Sequence, residues 1–372
     1  MVRRPDIGYW DEGLDLADPA NYAGATLPFG TANLLPAVAH RSLQFAYLED
    51  EAVWTRDWVA IGTAADLPEE GDLLPFTLGY HGIHIQRISG GGLEGRFNMA
   101  QHGGCRIVPT QCQNGTKTKC SFTSCGYSRD RKPISIAREG GNTAAMYQYL
   151  GLRPERLYPV RTFTLGSVVF ANVDPEGHAP GWKDDVAVPE ALQAGRATRT
   201  AEQWFEFDAN WKIAGQSLAF VEEEIFADRH ILEGWRGTAD GERIDVLWLF
   251  PNLVILSKGI EACVVVIQQT ALGKTLFRTQ VFVAAGASAT NPDAWLALVS
   301  QAGERAETLQ RAIAAQPAAN DDRSAEETDG SQDVQTDLSG WWLQRALIDR
   351  LVTMPKVESD VPMYQPVGNY MI

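Results

Sequence analysis

Four of the chain's five cysteines and one of its six histidines fall between residues 97 and 130, in FNMAQHGGCRIVPTQCQNGTKTKCSFTSCGYSRD. Thiolates and neutral imidazoles are the usual ligands of zinc and of iron–sulfur clusters, so His102, Cys105, Cys112, Cys120 and Cys125 are the first candidates for metal chemistry. No standard zinc or iron–sulfur ligand pattern is complete among them. Glu222, Glu223 and Glu224 are a second candidate, a carboxylate run able to bind a cation or to act as general acid and base. The simpler reading of that run is a helix on which some acids face solvent and another pairs with Arg229 or Arg236. His81 and His84, three apart in GYHGIHIQ, read as part of a strand and its turn. The chain has no GxxxxGK, GxSxG or HExxH, so phosphate-loop, serine-hydrolase and zinc-protease chemistry have no motif to rest on.

The elements that must position these residues belong to a chain of 372 residues, long enough for two domains or one large one. Apolar residues make up 45% and charged ones 21%, ordinary for a globular protein. The formal charge of −15 argues against nucleic acid or an anionic membrane as partner, because both need clustered Lys and Arg. MVRRPDIGYW has no apolar core of a signal peptide, and the apolar run in EACVVVI is too short to span a bilayer. A cytoplasmic location is therefore expected, where cysteines serve as thiols or metal ligands rather than disulfides.

Residues 1–46 combine turn formers with a helical run interrupted at Pro36. From about Leu43 to Asp174, short β-like runs divided by glycines (DWVAIGTAADL, LLPFTLG, IHIQRIS, GRFNMA, CRIVPT, KTKCSFTS, RTFTLGSVVFANVD) predict a small all-β barrel or sandwich. Residues 175–198 read as loop and then helix, and a further helix is expected over about 202–231. RIDVLWLFPNLVILS, EACVVVIQQTAL and LFRTQVFVAA predict an antiparallel sheet buried on one face, and NPDAWLALVSQAGERAETLQRAIAA a helix. Residues 316–339 are acidic and almost free of large apolar groups, which predicts a mobile loop. GWWLQRALIDRLVTM returns as an amphipathic helix.

Five segments, in order, resemble the large subunits of Rieske-type non-haem iron oxygenases. They are DWVAIGTAADLPEEGDLLPFTLG, LGLRPERLYPVRTFTLGSVVFANVDPEG, ANWKIAGQS, LFPNLVI and LSGWWLQRAL, and together they run nearly end to end. The resemblance implies an α+β protein. An N-terminal segment, 1–46, would pack on the C-terminal domain, followed by a Rieske-like all-β domain over 47–165. Residues 166–372 would form an antiparallel sheet with helices, of the helix-grip type.

It also implies two metal sites, and the residues depart from both. The family's [2Fe–2S] cluster is held by Cys-x-His, a spacer, then Cys-x-x-His, with two thiolates on one iron and two imidazoles on the other. An ungapped match places Ala100, His102, Cys120 and Thr123 at those positions, with 17 residues between His102 and Cys120. Ala100 has no donor atom and Thr123 only a hydroxyl, so each iron loses a ligand and no [2Fe–2S] centre is expected. His102, Cys105, Cys120 and Cys125 are the set that could hold a structural zinc instead, at a spacing of x2, x14, x4 that matches no standard zinc motif. Buried thiols without metal are the other reading. The family's mononuclear iron takes two histidines and a carboxylate. Glu223 and Asp228, five residues apart, fall on the histidine positions, or Glu224 and Arg229 with a slip of one. Phe220 or Val221 occupies the place of the acid that links neighbouring subunits. After His178 the chain contains a single histidine, His230, so the C-terminal part cannot supply two imidazoles. Glu304 and Glu307 lie near the expected third ligand.

The resemblance without its ligands implies no catalytic residue in this chain and no [2Fe–2S] or mononuclear iron. The function expected is that of a non-catalytic companion of an active paralogue, in a hetero-oligomer of α3β3 type acting on an aromatic or polycyclic substrate. It would stabilise the active subunit, shape its entrance or dock a ferredoxin or reductase, and the 11 tryptophans suit a large interface. Two other readings are a stand-alone small-molecule binding protein using the helix-grip cavity and a divergent metal-dependent enzyme.

Overall fold

Apolar runs punctuated by glycine and proline turns build two large antiparallel sheets. The computed structural model describes residues 8–79, 81–97, 158–174, 176–238, 241–287, 291–318 and 336–354. Candidates at Ala100, His102, Cys105, Cys120, Thr123 and Cys125 lie outside the described residues, as does most of the acidic stretch 316–339.

The N-terminal part begins with a small pair, β1 (Trp10–Asp11) and β2 (Leu14–Asp15), and the helices α1 (Val38–Arg41) and α2 (Leu43–Glu49), which follow Pro36. Ser42 separates the two helices and caps the second, its hydroxyl accepting from Gln44 and Phe45 N–H. Then come β3 (Val59–Thr63), β4 (Leu73–Leu78), β5 (His81–Arg87), β6 (Leu93–Phe97), β7 (Pro159–Leu165) and β8 (Val168–Asn172). They form a six-stranded antiparallel sheet in the order β3-β8-β7-β6-β5-β4, whose two edge strands touch, so the sheet curls back on itself.

The C-terminal part is a seven-stranded antiparallel sheet in the order β10-β11-β12-β13-β14-β15-β9. Its strands are β9 (Ala197–Phe207), β10 (Glu223–Ala227), β11 (Ile231–Gly237), β12 (Arg243–Leu249), β13 (Leu253–Lys258), β14 (Glu261–Ala271) and β15 (Lys274–Ala284). Helix α3 (Trp211–Leu218) packs on β14 and β15, and α4 (Pro292–Ala314) on β9, β15 and α3. Helix α5 (Leu338–Thr353) packs on α3 and on the turns of Pro19–Thr26. Residues Glu261 to Gln268 of β14 are buried without interruption, so this central strand is covered on both faces. Contact is close enough at α3 that a Cβ on Gly215 would lie 2.6 Å from the Trp248 ring.

The two sheets are joined by buried polar groups. The Asn252 side chain accepts from Ala60 N–H at 2.9 Å and donates to Ala60 C=O at 2.8 Å and Ile267 C=O at 3.1 Å, replacing backbone partners that a neighbouring strand would offer. Asp66 receives both Gln280 Nε2 and Arg199 Nη1, and Thr63 donates to Gln280 Oε1.

The helix expected over 202–231 is not one element. It divides into β9, α3 and β10, followed by the turn into β11. The first part, ATRTAEQWFEF, is strand because it pairs along its length with β15, from Phe207 opposite Thr275 to Ala197 opposite Ala284. Tertiary pairing overrides the helix propensity of its Ala, Glu and Gln. The acids 222–224 therefore lie at and before a strand, not on a helix. The helix expected before residue 198 is only the short 3-10 turn Glu190–Leu192.

Candidate functional site

The segment Asn210-Trp211-Lys212 opens α3, and each residue has a structural task. Asn210 caps the helix by accepting from Lys212 N–H, while its own N–H donates to Gln310 on α4. The fully buried Trp211 ring meets Trp54 edge-on at 5.0 Å and Phe250 at 6.4 Å. Lys212 Nζ donates to Glu49 Oε1 at 2.6 Å from inside the core and lies 5.0 Å from the Phe45 ring. Burial pushes the Glu49 carboxyl up and the Lys212 ammonium down, and each is offset by the other. His40 is buried beside them with neither ring nitrogen hydrogen-bonded. Burial, reinforced by Lys212, holds it well below the usual histidine range. These polar groups tie α2 to α3.

Beyond α3 the chain reaches the positions where the iron ligands were expected. Val221 N–H donates to Ser339 Oγ, which itself donates to Ala219 C=O, so α5 fixes the exit from α3. Glu223 then stands exposed on β10, paired by backbone with Trp235. The Asp228 carboxylate is turned onto its own backbone, accepting from His230 N–H and Ile231 N–H at 2.7 Å each. That arrangement closes the β10–β11 turn in the manner of an Asx turn. In the other register, Glu224 is exposed and Arg229 pairs with Asp349 at 3.1 Å. Of the two residues at the bridging position, Val221 is buried and Phe220 exposed. Glu222 accepts from Gly237 N–H and its charge acts on buried Arg236, whose guanidinium donates to Leu218 C=O.

His230 belongs to a different cluster. Its Nδ1 sits 2.9 Å from Arg350 Nη2 and 3.9 Å from Asp57 Oδ1. Arg350 grips Asp57 through two N–H donors at 2.7 and 2.9 Å, and its guanidinium lies 3.9 Å over the Phe250 ring. Burial and then the Arg350 charge lower the His230 pKa. A two-histidine, one-carboxylate iron does not fit here. The one imidazole present faces a guanidinium, Asp228 is engaged with backbone, and Glu223 points to solvent. Among the described residues, no group of three or more His, Cys, Asp and Glu is disposed to hold a metal. Of the acids near the expected third ligand, Glu307 accepts from Asp208 N–H and Glu304 is exposed on α4.

Glu224, Asp228 and Arg229 line one cleft of about 370 Å³ between the β10–β11 turn and α5. Trp341, Trp342, Arg345 and Asp349 form its other wall. Trp342 Nε1 donates to Asp228 C=O, and Arg345 lies 4.5 Å over Trp341. His81 and His84 lie on β5 as expected. His84 is buried and its pKa is lowered by that burial to about 3, so it is a neutral core residue. The fifth cysteine, Cys263, is buried on β14, where burial raises its thiol to about 12 and leaves it inert.

No protein-family model matches the chain. By sequence it is similar to biphenyl 2,3-dioxygenase subunit alpha of Rhodococcus jostii (strain RHA1), 24% identical over 213 residues that cover 55% of this chain and 44% of that one. It is also similar to N,N-dimethyl phenylurea N-demethylase subunit alpha of Sphingobium sp. (strain YBL2), 26% identical over 191 residues, 50% of this chain and 41% of the other. The match thus spans less than half the length of these curated relatives. Among solved structures, the quaternary ammonium Rieske monooxygenase CntA in complex with gamma-butyrobetaine superposes with a TM-score of 0.60 at 14% identity, over 90% of this chain and 98% of that one. Naphthalene 1,2-dioxygenase with indole in its active site gives 0.55 at 13% identity, over 90% and 95%. At such identities the structural likeness shows the fold. Among the described residues no helix is long and apolar enough to cross a membrane.

Proposed function

We propose that this chain, a relative of Rieske oxygenase alpha subunits that carries their fold, is a non-catalytic companion subunit. It stands beside an active paralogue in a hetero-oligomer of α3β3 form that hydroxylates or demethylates an aromatic or polycyclic substrate. The observation that carries the reading is the fate of Glu223 and Asp228. At the positions where the family resemblance calls for two imidazoles, one carboxylate is exposed on a strand and the other closes a turn. The donor chemistry of the other site agrees, since Ala100 and Thr123 stand where a thiolate and an imidazole are needed. Neither a [2Fe–2S] cluster nor a mononuclear iron belongs to this chain, and any metal at its cysteines is structural.

The chain would support its partner by packing against it, by shaping the substrate entrance or by docking the electron-donating protein. The test is to purify the chain alone and together with an oxygenase alpha subunit that has intact ligand motifs. Co-purification in fixed stoichiometry, with a change in the partner's turnover, is the expected result. A stable monomer holding one iron per chain overturns the reading.

A further inference from the structure

Strand β10 breaks the burial pattern of its sheet. A strand inside a layer alternates between a covered and an uncovered face, and β14 is covered on both. From Glu222, just before β10, to Phe226 every residue is exposed, so neither face of the strand is covered. Among the described residues β10 pairs only with β11, leaving its outer edge open. The large apolar side chains there are far from hidden: Phe220 is 38%, Ile225 59% and Phe226 43% exposed. Ile225 sits in a bulge between Glu224 and Phe226, without a partner on β11. An open edge with bare apolar residues is a pairing surface unless something occupies it.

The charges define the occupant. Glu222, Glu223, Glu224 and Asp228 lie within seven residues, and the nearest base in sequence, Arg229, is already paired with Asp349. A second copy laid antiparallel on this edge would bring four carboxylates from each chain together, an excess of like charge that opposes a symmetric dimer. A bulge and a row of acids also deter neutral strands, and so act as a filter on what can pair. We propose that the edge formed by residues 222–228 docks an extended segment of a partner protein in which Lys or Arg alternates with apolar residues. The segment adds to the sheet as a further strand by backbone hydrogen bonds, with its basic side chains, which all fall on one face, against the carboxylates of that face. Its apolar residues cover Ile225 and Phe226. On one side its side chains enter the cleft lined by Glu224, Trp341 and Arg345. The inference rests on the companion-subunit reading for the existence of a protein partner, and adds where that partner sits and what its docking segment is made of.

The full chain is titrated with a labelled peptide of roughly ten residues, alternating Lys and Val, a length suited to one strand. Saturable binding is expected, weakening steeply as ionic strength rises from about 0.1 to 1 M and the screening length falls from about 10 to 3 Å. A peptide alternating Glu and Val should not bind. The triple variant E222K/E223K/E224K, whose changes lie on exposed positions, should exchange the two preferences, each by about tenfold or more. Backbone amides over 222–228 should gain protection from hydrogen exchange with the basic peptide. Equal binding by the wild-type and charge-reversed chains overturns the proposal. So does protection elsewhere, or self-association of the wild type that I225K abolishes. If the chain leaves every oxygenase unaffected but still shows the charge exchange, the companion reading fails and the docking edge stands. The opposite pair of results separates them the other way.

Discussion

Lys212 Nζ and Glu49 Oε1 are 2.6 Å apart with both side chains at 1% exposure, joining α3 to α2 across 163 residues of sequence. Removing one member leaves the other charged and buried, which costs about 3–5 kcal/mol. K212M and E49L should each lower the unfolding free energy by about that much in denaturant titrations. The double variant should recover most of the loss. Additive losses would show that the two groups do not work as a pair.

His40 gives stability a pH dependence whose sign can be worked out. Its pKa in the folded state lies below the ordinary value, about 6.5, that it regains on unfolding. As the pH falls through that value the unfolded chain takes up a proton and the folded chain does not, so stability declines toward acid. Each such histidine adds a slope of about 1.4 kcal/mol per pH unit. For His84 the decline continues to about pH 3. H40L removes two unbonded ring nitrogens from the core, and should raise stability by about 1 kcal/mol or more at neutral pH while flattening the acid slope. A destabilised H40L with an unchanged slope would contradict this account.

Asp57 and Arg350 predict a third outcome. Arg350 is almost fully buried, and two of its three guanidinium nitrogens donate to the Asp57 carboxylate. D57A should cost about 3–5 kcal/mol. It should also lower the His230 pKa further, because the larger of the two carboxylate attractions on the ring, Asp57 ahead of Asp228, is gone. Proton NMR titration of the His230 ring reads that shift directly, and a ring that titrates higher in D57A would refute it.

G215A tests how tightly α3 lies on the sheet. Its Cβ would fall 2.6 Å from one atom of the Trp248 ring and 2.9 Å from the next, and that ring is wholly buried. Although alanine is the better helix former by about 1 kcal/mol, the variant should be less stable than the wild type by about 1–3 kcal/mol. A stabilised G215A in thermal unfolding would mean that α3 can move away from the sheet.

Much of the architecture was legible because patterning and punctuation survive in the sequence. LLPFTLG, IHIQRIS and EACVVVIQQTAL each became a strand, and Asn291 with Pro292 opened α4 as a helix start should. The failure at 202–231 is instructive. Glu202, Gln203 and Glu206 are helix formers, and only the pairing of β9 with β15, some 70 residues further on, makes them strand. The site was legible in part. Asn210, Trp211 and Lys212 stood out, but Glu49, which completes Lys212, is too distant in sequence to be named. The cluster of Asp57, His230 and Arg350 gathers three regions of the chain and has no local signature. Asp228 has no local signature either, since its carboxylate folds back onto the N–H groups of His230 and Ile231 only once the β10–β11 turn has formed.

Asn252 carries a mechanical consequence. Its side chain gives Ala60 an acceptor and a donor at once, and its backbone carbonyl receives Ile267 N–H. The curled sheet and the seven-stranded sheet therefore share one hydrogen-bonded seam buried in a common core. Separating the layers breaks these hydrogen bonds and bares the shared apolar core, so the two are expected to open together, which hydrogen exchange at the Ala60 and Ile267 amides would report.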